Sequence, residues 1–169
     1  MNFNISKNGG FSLIQLLVVI AIIGVLSSVV LANMSQVKMK ARDAQRMSDL
    51  ENIQLALRLY KDVNGTYPIC DTGMMIGVNA TTPTGCTTNV DTAIAPYMSK
   101  VPTDPLTALG TTYRYWYNSN YVCIAGMQNI ILYARTAELS TNQGKWKGKG
   151  TSCFPSSTVI SNSYGIILK

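Results

Sequence analysis

The chain has no histidine and only 8 acidic residues in 169, against 14 lysines and arginines. Without histidine it lacks the usual general base near neutral pH and the imidazole of mixed zinc sites. The acidic residues are spread along the chain, with no nucleophile motif, no glycine-rich phosphate loop and no metal-ligand cluster. This is poor material for catalysis, and a membrane-anchored enzyme has almost no support. Internal repeats are not apparent. Charge is absent between Lys7 and Lys38, and the first proline is Pro68. Nothing in that long stretch forces a helix to break. The net charge of +6 is modest; it suits nucleic acid or anionic surfaces, and solubility explains it equally well.

What is present is a long apolar run. Phe11 to Met34 would make a helix of roughly 36 Å at about 1.5 Å per residue. That exceeds a hydrocarbon core of about 30 Å. A helix apolar on every face needs lipid or other helices around it. The bland reading is a single membrane anchor. The ten residues ahead of the run hold one charge, Lys7, and end in Gly9-Gly10. An ordinary secretory leader is cut after its apolar region. Val30-Leu31-Ala32 is a candidate for that, but an apolar stretch of about 20 residues before it is long for a signal peptide. A glycine pair before Phe11 suggests a cut ahead of the run, which leaves the helix on the mature protein.

The segment GFSLIQLLVVIAIIGVL resembles the class III signal of type IV prepilins and type II secretion pseudopilins. The likeness continues through the following helix to about Pro68, roughly a third of the chain. It implies that a prepilin peptidase cuts after Gly10 and methylates Phe11 as the new N-terminus. Gly24 matches the family's usual helix glycine. Two positions depart from the pattern. Gln15 stands where the family usually has a glutamate that pairs with the N-terminal amine of a neighbouring subunit. A neutral amide still accepts a hydrogen bond but loses the charge assistance that roughly doubles its strength. Gln15 therefore weakens both the cost of carrying a charge into lipid and the gain on docking, and points toward a minor subunit. Ala32 stands where many members have proline, which makes the helix straighter and harder to melt.

From Asn33 to Asp62 the pattern becomes amphipathic. Val37, Ala41, Ala44, Met47, Leu50, Ile53, Leu57 and Tyr60 recur at three- and four-residue steps. Lys38, Lys40, Arg42, Arg46 and Arg58 fall mostly off that stripe. The whole helix should run about 50 residues, roughly 80 Å, and stop at Asn64-Gly65 with Pro68 beyond. Asp43 beside Arg42 and Arg46, and Asp49 beside Arg46, suit a solvated face or contacts between subunits. Basic residues after the apolar run outnumber the one before it, which by itself favours a cytoplasmic C-terminal part. The resemblance puts the N-terminus inside instead, and the cysteines call for an oxidising compartment.

Those cysteines are Cys70, Cys86, Cys123 and Cys153, without a CxxC pair. Two disulfides are expected; free buried thiols and an all-cysteine metal site are the alternatives. Of three connectivities, Cys70–Cys86 with Cys123–Cys153 staples one loop after the helix and one region near the end. Cys70 to Val90 reads as an irregular connection, in the place of the family's variable loop. Asp91 should cap a short helical turn through Met98. Pro102 and Pro105 hold an extended segment; an Asp-Pro before the first head strand is similar to that of many pseudopilins.

Thr112–Tyr117, a turn at Asn118-Ser119-Asn120 and Tyr121–Ala125 read as a β-hairpin, with Ile130–Arg135 a third strand. Tyr113, Tyr115, Trp116 and Tyr117 suit a sheet core better than base stacking. Tyr164–Leu168 reads as an edge strand. Lys145, Trp146, Lys147 and Lys149 form a basic, aromatic segment that either contacts nucleic acid or is an exposed loop. Major pseudopilins carry calcium in a C-terminal loop, but Glu138 is the last acidic residue here. Nothing in the spacing of Asp71, Asp91 and Asp104 demands convergence, so no calcium, other metal or cofactor is expected.

These readings combine as an α+β, type IV pilin-like subunit: a long N-terminal helix packed on a small antiparallel sheet. Residues 1–10 are the leader, 11–37 the transmembrane and filament-core helix, 38–65 the amphipathic helix, and 66–169 the disulfide-stapled head. The resemblance implies a structural pilus or type II secretion subunit. Its partners would be copies of itself, other pilins or pseudopilins, prepilin peptidase and an inner-membrane assembly platform. It would sit in the inner membrane with the head outside, and then in a filament. The alternative is a membrane-tethered binding module that never polymerises and contacts nucleic acid.

Overall fold

A computed structural model of the chain describes residues 12–78, 81–110, 112–122, 128–138, 146–147 and 163–168; side chains are described for these except at 29–33, 121–122, 128–129, 146–147 and 164. The chain divides into two compact units, Met1–Lys38 and Met39–Lys169. Helix α1 (Leu13–Asn64) supplies residues to both. It begins at Ser12, whose carbonyl accepts from Leu16 N–H at 3.3 Å. It stops where expected: Gly65 turns left-handed at φ 80°, and its N–H closes on the Lys61 carbonyl at 2.7 Å. Glycine takes that conformation without a Cβ penalty.

In the second unit a five-stranded sheet has the order β1-β2-β3-β5-β4. The strands are β1 (Met74–Ile76), β2 (Tyr115–Val122), β3 (Gln128–Ala134), β4 (Trp146–Lys147) and β5 (Tyr164–Leu168). β1, β2, β3 and β5 pair antiparallel; β4 adds to β5 in parallel over two residues. A short helix α2 (Val90–Ile94) runs into a 3-10 turn at Ala95–Tyr97. Alternate residues of the strands face the helix. Met74, Ile76, Tyr115, Tyr117, Leu132, Ala134, Ile166 and Leu168 are buried against Leu50, Ile53, Ala56 and Leu57 of α1 and Val90 and Ile94 of α2. Each large aliphatic buried this fully contributes about 1.5–3 kcal/mol. Tyr117 keeps its hydroxyl satisfied on the Pro68 carbonyl at 2.7 Å, and burial raises its pKa.

Five sequence expectations change. The Asn118–Asn120 stretch is not a turn: β2 continues through it, with a register shift between Asn118 and Tyr121. One local bond remains, Asn120 N–H donating to the Asn118 side-chain oxygen at 2.8 Å; other polar groups of the stretch are used elsewhere. Ser119 exchanges two hydrogen bonds with the Cys70 backbone, at 3.0 and 2.6 Å, and Asn118 donates to the Asp71 carbonyl at 3.2 Å. Within the Cys70–Val90 connection, Met74–Ile76 is a strand, because β2 offers it a partner edge. β5 is not at the edge; β3 and β4 flank it. Asn89, not Asp91, caps α2, accepting from Asp91 N–H at 2.9 Å and Thr92 N–H at 3.3 Å. Asp91 instead accepts from Gly77 N–H with both carboxylate oxygens, at 2.9 and 3.1 Å.

The fifth change concerns the core face of α1. Val37 and Met47 of the expected stripe are exposed, as are Ala41 and Ala44. Asp43 and Arg46 are buried in line with Leu50, Ile53 and Leu57, at steps of three and four.

Cys70 and Cys86 form a disulfide, and their backbones form an isolated bridge. Cys123 and Cys153 lie outside the described residues. Replacing Cys70 and Cys86 together by serine should lower stability by about 2–5 kcal/mol. A urea titration of oxidised protein against the double variant measures this; an unchanged midpoint would show that the loop does not need its staple.

Candidate functional site

The first candidate site is the start of α1. Gly10 and Phe11 lie outside the described residues. Ser12 holds the position where a capping residue is expected, and Gln15 lies three residues on. The Gln15 side-chain oxygen accepts from Ser12 N–H at 3.0 Å, one half of a capping box. Every large apolar side chain from Leu13 to Leu26 is exposed, from 46 % at Val19 to 78 % at Leu13. Among the described residues no helix is long and apolar enough to cross a membrane; the side chains of residues 29–33 lie outside the described ones.

The second candidate site is a buried ion cluster. Arg46 projects from α1 and is fully buried. Its Nε and Nη2 donate to the two carboxylate oxygens of Asp104 at 2.7 and 3.0 Å. Its Nη1 donates to Asp43 at 2.8 Å and to Glu138 at 2.8 Å. Arg42 also grips Glu138 through Nε at 2.6 Å and through Nη2, and Glu138 N–H donates to Asp43 at 3.1 Å. Asp104 is presented between Pro102 and Pro105; its carboxylate also accepts from Leu106 N–H at 2.8 Å. Tyr113 covers the cluster, its ring centroid 5.9 Å from the Arg46 guanidinium carbon.

The electrostatics follow this geometry. Burial works against the charged Arg46, but Asp104, Glu138 and Asp43 outweigh it and raise its pKa. The Arg42 hydrogen bond, with help from Arg46, overcomes burial and lowers the Glu138 pKa. Asp49 is not a partner of Arg46 in this cluster. It accepts from the Tyr115 hydroxyl at 2.6 Å, and burial raises its pKa against that bond. The cluster fastens the helix to two separate segments of the head.

Sequence reasoning placed Arg46 off the core stripe and missed Glu138 as its partner. The signal was there: Asp43 and Arg46 keep the three- and four-residue step of Leu50, Ile53 and Leu57. The basic segment is only partly described. Trp146 and Lys147 belong to β4, so their backbone is strand rather than free loop; Lys145 and Lys149 lie outside the described residues. The expected aromatic core holds for Tyr115 and Tyr117, which are buried, while Tyr113 and Trp116 are half-buried. Asp91 and Asp104 are engaged by Gly77 and Arg46, and no group of three or more metal-ligating residues occurs among the described residues.

Comparison with known proteins gives one family. Residues 33–125 match the family model described as type II secretion system (T2SS), protein G. The type II secretion system core protein G of Escherichia coli (strain K12) is 36% identical over 99 residues, covering 59% of this chain and 67% of the relative. That of Aeromonas hydrophila is 33% identical over 99 residues, covering 59% and 68%. That of Vibrio cholerae is 33% identical over 109 residues, covering 64% and 70%. No solved structure matches significantly.

Proposed function

This chain belongs to the type II secretion system protein G family, and from that premise we propose that it is a pseudopilin: a structural subunit whose α1 assembles a secretion filament. The observation that carries this reading is the bare apolar segment from Leu13 to Leu26. At about 25 cal/mol per Å² of apolar surface, leaving it in water is costly. It is therefore held in a bilayer before assembly and among like helices afterwards, with the head outside. The family match starts at residue 33, beyond the GFSLIQLL motif, so the motif and the match support the reading separately.

The finer steps rest on the motif. A prepilin peptidase cuts after Gly10 and methylates Phe11, and an inner-membrane platform adds subunits at the filament base. Other pseudopilins join the same filament. Gln15 meets the N-terminal amine of the neighbouring subunit, in competition with its own bond to Ser12 N–H. The cluster around Arg46 keeps the head seated on the helix while force passes between subunits.

N-terminal sequencing and intact mass of protein recovered from membranes test the processing. A chain beginning at methylated Phe11 is expected. A start at Asn33 would mean ordinary secretion of a head without its anchor, and an uncut Met1 would favour a tethered module. A second measurement addresses Gln15. The variant Gln15→Glu keeps the helix cap and restores charge assistance, which about doubles the strength of the hydrogen bond. Its share in sheared filaments, relative to its membrane pool, should rise. No change or a loss would remove the docking role.

A further inference from the structure

The face of the sheet turned away from α1 carries two arginines with no ion pair among the described residues. Trp116 lies opposite Tyr133 in the β2–β3 register. Arg114 is two residues before Trp116 and Arg135 two after Tyr133, so all four share one face. The Arg135 N–H donates to the Arg114 carbonyl at 3.2 Å, which holds the two residues side by side. The Arg135 guanidinium lies over the Trp116 ring, 5.8 Å from its centroid. Nε and Nη1 of Arg114 and Nε1 of Trp116 are buried and have no hydrogen-bond partner.

The shortage is built into the chain. All 8 acidic residues lie among the described residues, and none forms an ion pair with Arg114 or Arg135. Asp43, Asp104 and Glu138 are held by Arg46, Asp49 by Tyr115 and Asp91 by Gly77. A guanidinium drawn away from water with donors unmet is costly. Its unmet donors, with an indole N–H alongside, suit carboxylate oxygens. Beside Trp116 runs an open groove of about 450 Å³, lined by Thr72, Gly73, Met75, Thr81, Pro83 and Thr84. Apolar surface interleaved with hydroxyls suits a peptide chain. The groove lining holds no lysine or arginine to follow a phosphate backbone, which disfavours nucleic acid.

We propose that Arg114, Trp116 and Arg135, with the groove beside them, form a docking site for an acidic peptide segment of another protein. Its carboxylates meet the arginines and its chain lies along the groove. This site is on the sheet and does not depend on filament assembly.

The test uses the full chain in detergent micelles and a fluorescein-labelled hexapeptide of alternating glutamate and threonine, read by anisotropy. Binding should saturate and weaken with salt. Arg114→Gln and Arg135→Gln should each weaken it about tenfold, the scale of one charge-assisted bond. Trp116→Phe, which keeps a ring and loses the N–H, should fall between. The glutamine-threonine counterpart should not bind. Arg135→Gln carries the test if Arg114→Gln does not fold, because Arg135 has no buried unmet donor among the described residues. Unchanged affinity in a folded Arg135→Gln variant would overturn the proposal. So would equal binding of the glutamine peptide, or a single-stranded oligonucleotide binding with the same dependence on Arg135.

Discussion

Arg46→Met is expected to destabilise the protein by about 3–5 kcal/mol, the scale for removing one partner from a buried ion pair. The loss of attraction is the smaller part. Asp43 and Asp104 are buried with Arg46, and without it both carboxylates lose, in a low-dielectric site, the guanidinium they share. A total stability of about 5–15 kcal/mol is ordinary, so the variant should be partly unfolded at moderate urea. Urea unfolding followed by tryptophan fluorescence measures it. A midpoint within error of the parent protein would mean that water, not Arg46, satisfies those carboxylates. The double variant Arg46→Met with Asp104→Leu should recover part of the loss, because removing both charges removes the desolvation problem.

The same cluster predicts an acid limit. Arg42, then Arg46, hold the Glu138 pKa below its ordinary value near 4.5. A carboxylate with a lowered folded pKa contributes stability that is fully present above its unfolded value. That contribution is lost as pH falls through the folded pKa. Stability should therefore decline from about pH 4.5 downward, and less steeply in Glu138→Gln, which has no proton to gain.

The second large effect is expected at Gly77. A Cβ built there lies 2.0 Å from the Pro102 carbonyl oxygen, and the backbone is left-handed at φ +79°. Both neighbours are backbone, so no side chain can swing away. Gly77→Ala should also disturb the hydrogen bonds from Gly77 N–H to Asp91. Gly65 is the control: it has φ +80° and nothing within 4 Å of its Cβ. Gly65→Ala should cost about 1–2 kcal/mol for the left-handed backbone alone. Gly77→Ala should cost a further 1–3 kcal/mol, roughly, for overpacking. Because Pro102 precedes Asp104 by two residues, the shift should reach the Arg46 cluster. Equal losses in the two variants would show that the Pro102 segment gives way freely.

The two variants also show where sequence reading succeeds and stops. The helix stop at Asn64-Gly65 was legible because a left-handed glycine is a local device. The strands at Tyr115–Tyr117, Ile130–Ala134 and Tyr164–Leu168 were legible because β-branched and aromatic residues crowd there. The turn at Asn118–Asn120 was misread. Local propensity spoke for a turn, but Ser119 and Asn118 found acceptors and donors on the Cys70 loop, some 49 residues away in sequence. Met74–Ile76 was missed for the matching reason: a three-residue strand has little pattern of its own and exists because β2 runs beside it.

The candidate site divides along the same line. The residues alone determined an uncharged apolar run and a helix stop, because each is written in neighbouring positions. Tertiary structure alone decided that Arg46 is core and Met47 is surface. Hydrophobic periodicity prefers methionine, and only Asp104 and Glu138, arriving 58 and 92 positions later, make a buried guanidinium tolerable. It also decided that Arg114 and Arg135 share one face, with no ion pair among the described residues. A chain's charges can be counted from its sequence, but which of them meet is set by the sheet register and by the path of the chain between the strands.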